Sequence, residues 1–368
     1  GVIGAGVMGA GIAQLALEAG HEVFLHDVDE AALDRGADRI RDGLTRRALK
    51  LVDGGGVDDW VEERMGGLRR TDVLEEVADA ADVVVEAALE SLDLKQTIFR
   101  TLDATAALTT ILATNTSALS VAEIAAATNR PARVLGLHFF NPAPVMRLVE
   151  VVATDRTAPS VLRRATELVT SWGRTPVAVA DRPGFVVNRV NRPFTIEALR
   201  TLETEIATVP EIDAALRDAG FPLGPFELMD LTGLDVTTAA ATAIWERLGR
   251  PDRLRPSPIQ RELVDAGRLG RKTGEGFYRY EAGRSVGVAE RFSGPPTNVP
   301  PGSIRDRILD AVGLEARLAV EEGVARAADV DLALRLGAGH PIGPFERSGM
   351  TAGATGRTAA NHESAGSP

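Results

Sequence analysis

The chain contains no cysteine. That excludes disulfides, thiolate zinc sites and a cysteine nucleophile, and it fits a reducing compartment. No run of 18 or more apolar residues occurs, so no membrane-spanning helix is expected. No signal-peptide pattern is found, although residue 1 is a glycine that reads as lying inside a first strand. Positive charge is in deficit: 41 Lys and Arg against 52 Asp and Glu leave a net charge of −11. This argues against nucleic acid or an anionic membrane as principal partner. No convincing cluster of metal ligands is found either, and no metal is expected. What is present is ordinary for a soluble protein: 368 residues, 44% of them hydrophobic, with length for about two to three domains. A globular, cytoplasmic protein is expected.

The first 180 residues alternate short β-rich runs with helical stretches, the pattern of a parallel sheet covered by helices. Strands are predicted at 1–3, 21–27, 82–88, 109–115, 133–140, 148–154 and 175–181. The charged stretch 29–76 reads as two helices split by Gly54-Gly55-Gly56, a helical insertion projecting from the sheet. Arg182-Pro183-Gly184 marks a domain boundary, so residues 1–182 form one domain. Residues 183–281 read as a mainly helical second domain, with strand signal only near GFYRY (276–280). A Gly-, Pro- and Ser-rich stretch at 282–303 reads as a linker. After it comes an internal repeat: FPLGPFELMD (221–230) recurs as HPIGPFERSG (340–349), and EIDAALRDAG (211–220) as DVDLALRLGAG (329–339). Residues 304–350 thus form a partial second copy of the helical domain. The tail 351–368 lacks apolar periodicity and is expected to be disordered.

Gly4-Ala5-Gly6-Val7-Met8-Gly9 fits the pattern G-x-G-x-x-G. With 37 glycines in the chain, context must carry that motif. Here a strand precedes it, a helix follows, and Asp27 ends the next strand. Such a loop lets backbone approach a pyrophosphate at a helix N-terminus, with the acidic residue on the adenosine ribose. Val28 rather than a basic residue follows Asp27, so NAD is expected over NADP. The fold class is therefore α/β: a Rossmann-type doubly wound parallel sheet, a helical C-terminal domain and a partial second copy of it.

A second constellation follows at domain distance. His138 lies in GLHFF, NPAP (141–144) turns the chain, and Glu150 sits in the apolar run VMRLVEVV (145–152). Strand alternation puts Met146, Leu148, Glu150 and Val152 on one face, where a carboxylate is costly unless paired. An imidazole across the turn is its natural partner, and a carboxylate-oriented histidine is a general base. Glu90, Ser117 and His138 all follow the C-terminal ends of predicted strands, the edge where doubly wound sheets bind ligands. Lys95 lies in the first turns of a helix, where a cation is disfavoured unless an anion such as the cofactor or Glu90 is near; an ordinary solvated lysine remains open.

Together GVIGAGVMGAGIAQ, Asp27, VVEAALESLDLK, NTSALS, GLHFFNPAPVMRLVEVV, PGFVVNR, GPFELMD and GRKTGEGFY resemble the L-3-hydroxyacyl-CoA dehydrogenases over residues 1–281. The repeat resembles the longer bacterial members, which carry the C-terminal domain twice. NRVNRPFTIEALR and RPSPIQRELVDAGRLGRKTGEGFY look most like the branch acting on 3-hydroxyadipyl-CoA in phenylacetate breakdown. The resemblance implies NAD-dependent oxidation of an L-3-hydroxyacyl-CoA, as in fatty acid β-oxidation. It implies His138 as base, Glu150 as its paired carboxylate, and Ser117 and Asn188 on the substrate oxygens. Asn141, Glu90, Lys95, Ser117 and Lys272 match positions lining the cofactor. Lys50, with Arg46 and Arg47, falls where the family's insertion meets coenzyme A phosphates, although a solvated basic helix face reads the same run. Shorter relatives pair two C-terminal domains across a dimer. A complete second copy would fill the partner's place, and a half-copy leaves a homodimer through the helical domain open. Two other readings remain: a dehydrogenase of a different hydroxy acid, and a non-catalytic NAD-binding relative.

Overall fold

The computed structural model describes residues 1–52 and 54–349. The predicted tail, 351–368, lies outside the described residues. In chain order the first domain comprises β1 (Val2–Ile3), α1 (Val7–Glu18), β2 (Val23–His26), α2 (Glu30–Leu51), α3 (Val57–Met65) and β3 (Leu68–Thr71). It continues with α4 (Leu74–Ala80), β4 (Val83–Glu86), α5 (Leu92–Thr105), β5 (Ile111–Thr114), α6 (Val121–Ala125), β6 (Val134–Phe139), β7 (Leu148–Ala153), α7 (Pro159–Ser171) and β8 (Thr175–Ala180).

Eight strands form one sheet in the order β3-β2-β1-β4-β5-β6-β7-β8. β1 pairs in parallel with both β2 and β4, so the strand order reverses beside it and a crevice opens past the strand C-termini. The strands are short and rich in Val, Ile and Leu because both faces are covered. One face packs Val2, Leu25, Val85, Leu137 and Val151 under α1, α2 and α7. The other packs Ile3, Val84, Leu112, Leu148 and Val152 under α5, α6 and the second domain.

Three features depart from the sequence expectation. The stretch 29–76 is not wholly a helical insertion, since it ends in β3, an edge strand paired with β2, and enters α4. β3 reads LRRT, with Arg69 and Arg70 exposed, so it has no apolar signal; charged residues of this kind protect a sheet edge. The sheet is not wholly parallel, because β7 runs antiparallel to β6 and β8 follows β7. The connection through NPAP holds no crossover helix, which a parallel pair requires. Finally, the stretch 282–303 is not simply a linker: it carries a strand and the first turn of a helix.

The second domain contains α8 (Val187–Val190), α9 (Arg192–Glu203), α10 (Val209–Asp218), α11 (Pro225–Thr232), α12 (Leu234–Arg247), α13 (Pro258–Asp265) and the hairpin β9 (Tyr278–Glu281) with β10 (Arg284–Val288). The repeat supplies α14 (Pro301–Glu321), α15 (Ala327–Gly337) and α16 (Pro344–Arg347). Matching residues do matching work in each copy. Asp213 accepts from Phe226 N at 2.9 Å, and Asp331 from Phe345 N at 2.8 Å.

The copies also meet reciprocally. Arg189 Nε pairs with Glu315 at 2.7 Å while Arg307 Nε pairs with Glu197 at 2.7 Å. Gly220 abuts Pro341, and Gly339 abuts Pro222. Contacts in which i meets j and j's counterpart meets i's counterpart define a two-fold arrangement. The half-copy therefore docks on the first copy about an internal pseudo-dyad.

Candidate active site

Strand register alone brings the two principal residues together. β6 and β7 are antiparallel, and His138 and Glu150 are directly opposed partners. His138 Nδ1 lies 2.7 Å from Glu150 Oε2, and the carboxylate is fully buried. Its other oxygen accepts from Val186 N at 3.0 Å and Val187 N at 2.9 Å, in the turn that opens α8. Both oxygens of this buried charge are thereby bonded, as burial requires. The imidazole packs between Phe140 and Phe185, at ring separations of 4.5 and 5.8 Å. With Nδ1 held by carboxylate, Nε2 is the nitrogen left for a reacting group.

Past β5, Thr116 is buried and Ser117 exposed. The 116–118 loop is built on Glu90, which accepts from Thr116 Oγ1, from Ser117 N at 3.0 Å and from Ala118 N at 3.1 Å. Burial pushes the Glu90 carboxyl up, but the Thr116 bond and the Lys95 ammonium more than reverse this and hold it below its ordinary value. Asn188, on α8, donates to the Ser117 carbonyl at 3.4 Å, which ties the second domain to this loop. Ser117, His138, Glu150 and Asn188 thus converge where the sheet edge meets α8.

The glycine loop lies on the other side of the crevice. Gly4 has φ +98°, and a Cβ at Gly9 would stand 1.8 Å from Gly4 O, so neither position admits a side chain. Gly6 precedes α1 with no side-chain cap and open space around it, leaving the helix N-terminus free for an anion. Asp27 Oδ2 accepts from Ala5 N at 2.8 Å and Oδ1 from Asp29 N at 3.2 Å. The carboxylate is thus locked beside the loop with lone pairs to spare for ribose hydroxyls. These residues fit a dinucleotide: a cradle with no room for side chains, an uncapped helix end and an anchored acid.

The remaining sequence-derived residues divide. Lys95 is buried, and its anion is chiefly Glu86, at 2.7 and 2.9 Å, with Glu90 at 3.4 Å. Glu86 was not singled out from the sequence, although a lone acid ending the apolar run VVVE is a signal that a partner must exist. Thr114 Oγ1 and Ala88 N also bond it, each at 2.7 Å. Asn141 is exposed just past β6. Lys272 is not brought to this group. It pairs with Asp235 at 2.6 Å near the start of α12, while Arg247 at the far end, about 18 Å along, reaches the Ala118 carbonyl. Arg46, Arg47 and Lys50 are exposed near the end of α2, roughly 30 Å along that helix from the Asp29 cap, and Arg47 faces Glu18 at 3.6 Å.

Residues 1–182 match the NAD binding domain of 3-hydroxyacyl-CoA dehydrogenase, and residues 184–280 and 302–367 each match its C-terminal domain. The chain belongs to the 3-hydroxyacyl-CoA dehydrogenase family. It is 46% identical over 288 residues to a 3-hydroxyadipyl-CoA dehydrogenase of Escherichia coli, covering 78% of this chain and 60% of that protein. It is 43% identical to the mitochondrial hydroxyacyl-coenzyme A dehydrogenase of Rattus norvegicus, over 76% of this chain and 90% of the relative. The crystal structure of an E. coli 3-hydroxybutyryl-CoA dehydrogenase superposes with a TM-score of 0.85 at 35% identity, spanning 95% of this chain and 90% of that one. The twofold match of the C-terminal domain agrees with the pseudo-dyad. Among the described residues, no helix is long and apolar enough to cross a membrane.

Proposed function

We propose that this chain oxidises L-3-hydroxyacyl-CoA thioesters reversibly to 3-ketoacyl-CoA with NAD. The observation that carries the reading is the buried His138–Glu150 pair at 2.7 Å, facing the crevice that the glycine loop shares. In the forward direction His138 Nε2 takes the hydroxyl proton as the C3–H electron pair leaves as hydride and the C3=O bond forms. NAD bound at the glycine loop supplies the hydride acceptor. Glu150 fixes the ring tautomer and stabilises the imidazolium that forms, as in any carboxylate-oriented base. Ser117 and Asn188 hold the 3-oxygen and thioester, so that C3 is presented squarely; a displacement of an ångström can cost about 100-fold. Glu90 acts through the 116–118 loop. Asp27 and the loop 4–9 hold the adenosine and pyrophosphate, with Asn141 and Lys95 at the margins. In this reading the second copy stands where a partner subunit's domain would otherwise dock.

The experiment follows NADH absorbance over CoA thioesters of graded length, a dicarboxylate included, and over free hydroxy acids. Turnover confined to thioesters supports the reading, whereas turnover of free hydroxy acids only would replace it with a different dehydrogenase. His138→Gln is expected to lower kcat by about 10²- to 10⁴-fold with NAD affinity retained. Near-normal turnover in that variant would remove the assignment.

A further inference from the structure

Among the described residues, four arginines have a buried side-chain nitrogen without a hydrogen-bond partner: Arg64, Arg133, Arg174 and Arg192. Three are tied down through another nitrogen. Arg64 donates to Trp60 O at 3.1 Å, Arg133 to Thr110 O at 3.3 Å and Arg174 to Met146 O at 3.3 Å. Arg192 alone of the four makes no side-chain hydrogen bond or ion pair with any described residue. Burial acts unopposed on its guanidinium and pushes it down to about 10, with no carboxylate close enough to raise it. A guanidinium whose Nε is buried without a partner and which no carboxylate neutralises is costly, and is expected where an anion arrives from outside the chain.

Its place in the fold says which anion. Arg192 opens α9 four residues after Asn188, and Asn191 N bonds Val187 O at 3.0 Å, so the backbone between is helical. Asn188 and Arg192 therefore share one face, a turn apart. Asn188 is the residue bonded to the Ser117 loop at the crevice. The other polar groups of this turn are committed elsewhere: Arg189 to Glu315 and Glu322, and Asn191 to His340 at 2.7 Å. Arg192 remains partly accessible, so a ligand can reach it. Cofactor pyrophosphate is drawn to the Gly6–Gly9 helix end across the crevice, not to α9.

We propose that Arg192 is a specificity-determining residue that pairs with a carboxylate at the far end of the acyl group, so that the chain prefers CoA thioesters of 3-hydroxy dicarboxylic acids. The inference rests on the proposed oxidation of 3-hydroxyacyl-CoA. One helical turn is about 5.4 Å, roughly the span of three to four carbon–carbon bonds, which suits a short diacid with C3 held near Asn188.

The test compares wild type, Arg192→Met and Arg192→Lys. The ratio of kcat/KM for 3-hydroxyadipyl-CoA to that for 3-hydroxybutyryl-CoA is expected to fall by about 30- to 1,000-fold in R192M, with R192K intermediate. Removing an unpaired buried charge should leave the melting temperature unchanged or raised, which checks the fold. Calorimetric binding of the unreactive adipyl-CoA and butyryl-CoA reads the same pairing without turnover, and adipyl-CoA alone should weaken in R192M. An unchanged selectivity ratio, or equal loss on both thioesters, would overturn the proposal. Absence of turnover on every thioester would instead remove the underlying reaction, while the binding comparison still decides the role of Arg192.

Discussion

At the residue scale, burial turns ordinary charges into tightly specified ones. Glu86 and Lys95 are 0% and 1% exposed and neutralise each other where β4 leaves the sheet beside the glycine loop. Removing one partner strands the other in the interior. Lys95→Met is expected to lower the unfolding free energy by about 3–5 kcal/mol, and adding Glu86→Gln to recover a substantial part. Denaturant melts of the two single variants and the double variant measure this; additive losses would show that the pair does not act as a unit. Lys95 itself was legible, since a cation in a helix's first turns needs an anion, but Glu90 was the acid at hand in the sequence. Glu86 was hidden inside a run read only as a strand. Lys272 is a different case: its motif points to the cofactor, and the structure pairs it with Asp235 of its own domain.

Elements carry their own titration behaviour. His340 precedes α16 and docks among Phe194, Phe221 and Asn191 of the first copy. Burial holds its imidazole down at about 4, against an ordinary value of 6.5. Between those values the unfolded chain binds a proton that the folded chain refuses, so this group's contribution to stability is intact above pH 6.5 and lost as pH falls toward 4. The loss amounts to at most about 3 kcal/mol. Melting curves from pH 7 to 4 should show a steeper acid-side decline for wild type than for His340→Gln. Coincident curves would mean that the histidine is already solvated. Sequence patterning located seven of the eight sheet strands, but not β3, whose Arg69 and Arg70 face solvent. An edge strand of charged residues carries no period-two apolar signal to read.

For the whole molecule, the pseudo-dyad supplies two sequence-equivalent ion pairs in unequal surroundings. Arg189–Glu315 is fully buried, and Glu315 also meets Arg253 at 2.6 Å, whereas Arg307–Glu197 is largely exposed on the arginine side. Glu315→Ala is expected to cost up to about 3–5 kcal/mol, because it removes the buried carboxylate that Arg189 and Arg253 share and leaves Arg189 with the half-exposed Glu322 alone. Glu197→Ala should cost only about 0.2–1 kcal/mol. Equal losses in chemical denaturation would contradict this account of the junction. Arg189 immediately follows Asn188, so the second copy also braces the turn whose backbone N–H groups hold Glu150.

The sequence by itself determined the nucleotide loop, the acid at the end of β2, the His138–Glu150 pairing and the existence of a repeat. Each of these depends on local spacing: a loop between strand and helix, alternation across one turn, or self-similarity at a fixed offset. Only the tertiary structure decided which charges find which partners. The Glu86–Lys95 pair, the Arg189–Glu315 junction and the solitary Arg192 join or isolate residues through packing between elements. A charge's energy in the interior depends on what the fold places within a few ångströms, which no linear pattern records.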